Sequence, residues 1–571
     1  GASLGFESMA NPVQGLTEQK RMKYNTQIFG NVALTFHLAE NLDLKTQFGI
    51  DSHQNMYKQY SGVNVVNQSS PNGRAEQDHS SSLYWQEETY LTYNLDIDKH
   101  RLNLMAGLSW QERTYNYVYA KTEGFNDDFY EWNNMGVGTI PTAPDSYWER
   151  WAMNSYFLRA AYTYDNKYMA TVTGRVDGSS KFGADNKYAF FPSVGLGWNI
   201  SEEGFMKDNN SVIDMLKLHT SFGLTGNSEI PVYRSLAMIS QGTTMINNAY
   251  ASSAYSSRLA NPDLKWETTA QFDLGVNLNM FRNRLNFDVS FYNKKTTDLL
   301  LDCPVPHSTG YKTIFKNIGS VRNRGLDIMV TGVPVQTDDF QWSMTVNANF
   351  NKNEILALGD NNADIESNWF VSNNNAILRV GESLSSFYGY KRLGVWTEAE
   401  AEEAKKAGSA VGRVKRSEKP EILGKGIPDW TGSFINTLNW KNWDFTLDMQ
   451  FVAGVQVLQQ YFHSTSDRFG ITNGLSSILY DAYNGTNPET MQAAVYLSNS
   501  GHAGQDTMCD SGWIANGSYL RANLIQLGYT FTSDQLKKTP FSSLRIFANV
   551  NNAFCITAKD FKGYDPEGTS Q

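Results

Sequence analysis

Cysteine is scarce in this chain, at three in 571 residues. Cys303, Cys509 and Cys555 lie far apart, with no CxxC pair and no zinc-ligand spacing. This excludes a disulfide framework and a structural zinc site, leaving open one pair across surface loops. Proline is also scarce, at 15 residues. No stretch approaches the ~18 consecutive apolar residues of a transmembrane helix, which says nothing against strands that cross a membrane. Basic residues are outnumbered, 48 against 58 acids for a net charge of −10, and they form no run. Nucleic acid is therefore excluded as a partner. HExxH and Walker-type GxxxxGK[ST] motifs are missing. The eight histidines are scattered, and His307, His463 and His502 fall in loops without ligand spacing. No catalytic residue is assigned, and the reading is not an enzyme.

What is abundant is glycine, at 45 residues, and aromatic residues, at 13%. That combination suits many strands joined by Gly/Asn turns. Apolar residues recur at every second position. Leu285, Phe287, Val289 and Phe291 alternate with Asn286, Asp288 and Ser290. Phe272, Leu274, Val276, Leu278 and Met280 alternate with Gln271, Asp273, Asn277 and Asn279. Trp342, Met344, Val346, Ala348 and Phe350 alternate with Ser343, Thr345, Asn347 and Asn349, and residues 42–50 repeat the pattern. A strand turns successive side chains to opposite faces, so each segment has one apolar and one polar face. Many segments exceed ten residues, where globular strands run to about five or six. Tilted membrane-spanning strands need about 9–11.

Short and long connections then alternate. Short turns fall near 39–41, 96–100, 165–166, 282–283, 334–339, 440–442 and 532–540. Long segments cover 57–80, 120–150, 225–266, 299–321, 353–428 and 456–518. Short turns on one side and long loops on the other describe an all-β, transmembrane antiparallel barrel of the outer-membrane type, with roughly 16 strands in this chain and the long loops extracellular. Two connections depart from the rule: 201–212 is long for its side and 181–187 is short. Trp85, Trp110, Trp151, Trp198, Trp443 and Tyr529, near strand ends, fit interfacial aromatic girdles. The sequence opens in mid-loop (GASLGFESMANPVQG) with no signal peptide and stops before a return strand. Further strands are expected upstream, and one at the other end.

Within the long loops, Tyr130, Trp132, Trp369 and Trp513 are candidate substrate platforms. Aromatic rings beside Asn and Asp groups suit sugars, which present C–H faces and hydroxyls; the alternative is that they only pack the loops. Asp127, Asp128 and Glu131 would accept hydrogen bonds from hydroxyls or repel anionic cargo. Residues 397–408 (TEAEAEEAKKAG) form the one clear helix, with Thr397 and Glu400 as a capping box and Glu402–Lys406 spaced as an i,i+4 pair. It is a docking element for a partner or a solvated loop helix. Residues 360–364 (DNNAD) offer hard oxygens to Ca²⁺ but lack the full loop spacing, so a polar turn competes with an ion site and no cofactor is assigned.

Several segments together resemble the SusC/RagA family of TonB-dependent transporters. They are 174–183 (GRVDGSSKFG), 186–205 (NKYAFFPSVGLGWNISEEGF), 216–227 (LKLHTSFGLTGN), 261–267 (NPDLKWE), 317–327 (NIGSVRNRGLD), 388–396 (YGYKRLGVW), 426–434 (GIPDWTGSF), 519–531 (YLRANLIQLGYTF) and 562–567 (KGYDPE). They span nearly the whole chain in family order. The resemblance implies a barrel of about 22 strands with a plugged lumen, in the outer membrane of a Gram-negative bacterium. It implies a SusD-like surface lipoprotein as a lid, and import of oligosaccharides or oligopeptides with energy passed by TonB. The plug domain and the TonB-contacting segment are missing from this sequence. A siderophore receptor and a non-transporting adhesin barrel are the rival readings.

Overall fold

The structure is a computed structural model, described here for residues 12–65, 73–207, 212–246, 249–359, 361–367, 375–462, 475–494 and 508–568. Its frame is one 17-stranded sheet, one member of which is only the two-residue Ile140–Pro141. The others are β1 (Gln19–Ala39), β2 (Leu42–Ser61), β3 (Arg74–Ile97), β4 (His100–Glu123), β5 (Asp145–Tyr164), β6 (Tyr168–Ser179), β7 (Tyr188–Asn199) and β8 (Ile213–Asn227). After these come β9 (Glu267–Met280), β10 (Leu285–Thr297), β11 (Ser320–Gln336), β12 (Phe340–Ala357), β13 (Trp430–Trp440), β14 (Trp443–Ala453), β15 (Tyr519–Thr530) and β16 (Arg545–Thr557).

Each strand pairs antiparallel with the next, from β1 through to β16. In such a meander every second connection falls at the same end, and the tight ones do. At Asp165–Asn166 both residues take positive φ (51° and 56°), the left-handed pair whose twist suits a two-residue hairpin and which Asp and Asn tolerate best. Among the described residues β1 and β16 each pair on one side only, so the sheet is not closed. Both are exposed along almost their whole length on both faces.

The strands run further than the alternation alone marks. β3 and β4 have 24 residues each, roughly 80 Å at strand rise, where about 9–11 residues suffice to cross a membrane. The connection read as 57–80 shrinks to 62–73 and that read as 120–150 to 124–144. Polar segments such as residues 74–82 (RAEQDHSSS) hide the strand signal, because here both faces of the strand meet water or loop.

The longer connections are built, not structureless. One carries a hairpin of Met238–Ile246 with Ala249–Arg258, another a hairpin of Leu300–Pro304 with Thr313–Asn317. Residues 358–429 hold a small four-stranded sheet and a second pair, Arg392–Val395 with Val414–Arg416. The helix expected at 397–408 forms as a 3₁₀ turn, Glu398–Glu400, followed by Ala401–Lys406, with the Thr397–Glu400 capping box in place. Glu400 bonds Lys415 at 2.5 Å. One-turn helices at Gly204–Lys207, Ile478–Asp481 and Ser533–Leu536, and a seven-residue one at Pro12–Glu18, join it. All are too short to carry a 3.6-residue period.

Candidate functional site: a two-faced wall and its loop-side mouth

The register sorts the wall into two faces. One row runs Leu44, Leu91, Ala106, Leu158, Gly174, Pro192 across β2–β7. The next runs through Thr89, Leu108, Tyr156, Val176 and Phe190. Leu158 is 65% exposed and Phe190 60%. Large apolar side chains standing free in alternation along strand after strand are intolerable in water and suited to hydrocarbon.

Aromatic residues bound this band. Trp85 and Trp110 lie at the loop end, with Trp85 stacked on Phe48. At the other end Trp198 and Tyr168 hydrogen-bond Glu203 through Nε1 (3.1 Å) and the hydroxyl (2.5 Å), leaving their rings on the apolar face and their polar tips in the turn. Those two hydrogen bonds, Tyr168 first, hold the Glu203 carboxyl below its ordinary pKa. They also give the unusually long 200–212 connection a task. Trp443 and Tyr529 pack together at 4.8 Å at the same end. Trp151 departs from the expected girdle: opposite Arg113, one residue out of phase with Ala152, it sits on the other face with Lys181 over its ring at 5.0 Å.

The opposite face is mainly polar. Asn277 donates to Asp288 at 2.8 Å, Asn347 to Ser433 at 3.0 Å, and Asn349 to Asp327. Gln271 and Ser221 donate to Asp273 at 2.9 and 3.2 Å. Asp288, Asp327, Asn347, Asn349 and Ser433 together line a shallow depression of about 360 Å³. Such a surface holds water and hydrogen-bonding solutes.

At the loop end the connections converge on one buried carboxylate. Asp510, with a fully buried side chain, accepts from Arg392 Nε at 2.8 Å and Arg416 Nε at 2.7 Å. It also accepts from the Gly512 amide at 2.9 Å. Arg392 and Arg416 belong to the connection between β12 and β13, Asp510 to that between β14 and β15, so this trio clamps the two together. The neighbouring Cys509 is equally buried, and burial first, then Asp510, pushes its thiol up to about 12. It is an inert packing residue.

After β16 the chain folds back along the wall. Arg521 forks onto Asp565 with bonds of 3.0 and 2.6 Å, and Tyr519 bonds Glu567. Both partners stand beside Gln450, on the polar face of β14. The hydrogen bond from Arg521 holds the Asp565 carboxyl below the ordinary range. Between the clamp and this returning segment lies a cavity of about 630 Å³, lined by Arg392, Gln459, Phe462, Trp513, Asp560 and Lys562 among others. Gln459 is buried there, and its Nε2 has no hydrogen-bond partner among the described residues.

The structure does not bring the three described aromatic candidates, Tyr130, Trp132 and Trp513, together. Tyr130 stands exposed on a turn against Phe129. Trp132 packs on Tyr60, Ala75 and Phe125. Tyr60 shares the face of Phe48 and Ile50, so this loop covers the outward side of the extended strands, where Glu131 also pairs with Lys20. Trp513 is 1% exposed and walls the cavity. Trp369 and Asp360 lie outside the described residues, as do His463 and His502. Asp364 is engaged by Arg379 at 2.8 Å, and no cluster of metal-ligating side chains occurs among the described residues. Asp510, Arg392, Arg416 and Gln459 escaped the sequence reading, because charged residues 94 and 118 positions apart carry no local signature.

The sequence profile of the family described as "TonB dependent receptor-like, beta-barrel" matches residues 5–553. TonB-dependent receptor P3 of Formosa agariphila is 29% identical over 99% of this chain and 57% of its own length. TonB-dependent receptor SusC of Bacteroides thetaiotaomicron is 32% identical over 74% of this chain and 42% of its own. The solved structure of the RagAB peptide transporter superposes with a TM-score of 0.84 at 24% identity, covering 97% of this chain and 60% of that one. The chain thus spans between about two fifths and three fifths of the length of these relatives. It belongs to the TonB-dependent receptor β-barrel family, on its SusC-like branch.

Proposed function

We propose that the chain is the wall of an outer-membrane importer driven through TonB, carrying an oligosaccharide or oligopeptide with a SusD-like lipoprotein as its lid. The observation that carries this reading is the two-faced wall: an exposed apolar band bounded by aromatic residues, backed by a mainly polar face with several side-chain hydrogen bonds across its strands. Water-filled passage needs the second face and lipid needs the first. Kinship with SusC and with a structure described as a peptide transporter supports an oligomeric cargo. The unpaired edges of β1 and β16 support a complete barrel of about 22 strands, filled by strands outside this chain. The plug and the TonB-contacting segment likewise belong outside it, and the long connections face the cell exterior. Of the described aromatic candidates, Trp513 walls a cavity that would take part of the cargo, with Gln459 beside it as a donor.

The test is reconstitution of the full-length protein with its lipoprotein partner in proteoliposomes carrying TonB. Uptake of labelled oligosaccharides and oligopeptides is compared with and without TonB, with a ferric chelate as control cargo. Oligomer uptake that stops when TonB is removed supports the reading. Uptake indifferent to TonB, or of the chelate alone, refutes it.

A further inference from the structure

Above the apolar band on β10–β12 the membrane-side face turns abruptly basic. The last apolar row is Phe291, Leu326, Phe350 and Trp430, directly paired in that order, with Phe350 and Trp430 in ring contact at 4.9 Å. The next row on the same face is Asn293, Arg324 and Lys352, and the one after it Lys295, Arg322 and Glu354. Four cations thus meet one acid. Arg322 is held by Glu354 at 2.8 Å, yet its Nε stays buried without a partner among the described residues. Lys295, Arg324 and Lys352 are exposed. Position settles what such a patch meets. It lies at the loop end, one residue pair beyond the aromatic row, which is head-group depth if the band sits in lipid. In a chain of net charge −10, three exposed cations side by side on the lipid side are out of keeping with the whole.

We propose that Lys295, Arg324 and Lys352, with Arg322 beside them, form a binding site for the phosphate-bearing head group of an outer-leaflet lipid. Guanidinium and ammonium groups side by side suit a phosphate, the arginines as forks and the lysines as point charges, while Phe291, Phe350 and Trp430 seat the upper acyl chain. The site rests on the wall lying in a membrane, but not on anything being imported.

The experiment uses the full-length protein in nanodiscs, wild type against the triple variant Lys295→Gln/Arg324→Gln/Lys352→Gln. Lys294→Gln is the control, since Lys294 is on the polar face of the same strand, over the Tyr292 ring. Retention of phosphatidylglycerol and of phosphatidylcholine through a detergent wash is read by mass spectrometry, with inorganic phosphate as competitor. At about 1 kcal/mol per basic residue near an anionic surface, each cation removed costs roughly fivefold. The triple variant is expected to lose roughly a hundredfold in phosphatidylglycerol affinity relative to phosphatidylcholine, and Lys294→Gln nothing. Equal retention of the two lipids by the wild type overturns the proposal. So does full displacement by millimolar phosphate, which marks a free-anion site, or a triple variant that keeps its lipid but loses the lipoprotein partner. Should the triple variant not fold, single Arg324→Gln and Lys352→Gln proteins are read the same way. TonB-dependent uptake, measured separately, tells failure of this site from failure of the importer reading.

Discussion

Asp510 shows how much one side chain can carry. A carboxylate with no solvent contact survives only with both oxygens occupied, and here two guanidinium groups and an amide occupy them. Asp510→Ala removes the carboxylate that Arg392 and Arg416 share, and breaking a buried ion pair from one side costs about 3–5 kcal/mol. Hydrogen exchange in residues 390–416 and 509–516 is therefore expected to rise together, while β12 and β14 stay protected; unchanged protection in both segments would refute the clamp. Asp565 makes a second prediction at this scale. Its pKa is depressed by Arg521, so the docking it supplies is complete above the ordinary carboxylate value of 3.8 and is lost only as pH falls through the lower folded value. Exchange of residues 558–568 followed between pH 6 and pH 3 is expected to stay slow down to that ordinary value. Release at pH 5 contradicts the assignment. Neither residue was legible beforehand. Asp510 looks like any loop aspartate, and the KGYDPE segment had significance only through its family resemblance.

Whole elements depend on close approaches as well as on charges. Gly183, in the short connection between β6 and β7, has its backbone amide on Leu264 at 2.9 Å. A Cβ there would stand 1.7 Å from the Pro262 carbonyl oxygen. The connection is short because it is pinned beneath the one between β8 and β9, over a core of Phe182, Phe191, Ile230, Leu264 and Trp266. Gly183→Ala must push the two apart, at about 1–3 kcal/mol, and is expected to open residues 228–266 to protease without disturbing β7 or β8. An unchanged cleavage pattern would count against this packing. The alternation named β9, β10 and β12 correctly, because one face of each is apolar and the other polar along its length. It under-read β3 and β4, because residues 74–82 and 121–123 have no apolar side to display. The capping box at Thr397 was legible because a cap needs only four consecutive residues.

For the molecule as a whole, the decisive question is what the exposed apolar band touches. Leu158 lies midway between the two aromatic limits on β5. Arginine there is expected to cost about 2–4 kcal/mol in folding titrations into lipid vesicles, the penalty of a charge at the bilayer midplane. Asn347→Arg, on the polar face, is expected to cost under about 1 kcal/mol. Equal penalties would mean that both faces meet the same medium and that the wall does not stand in a membrane.

The sequence by itself determined the central part of most wall strands, which side of each is apolar, and at which end most of the long connections lie. These follow from a period of two and from turn chemistry, both of which act between neighbours. Which distant charges meet, which loops cross, that Trp151 turns inward, and that Trp132 covers the outside of the wall were decided only by the tertiary structure. Such contacts join residues tens to a hundred positions apart, and no local pattern encodes the register that brings them together.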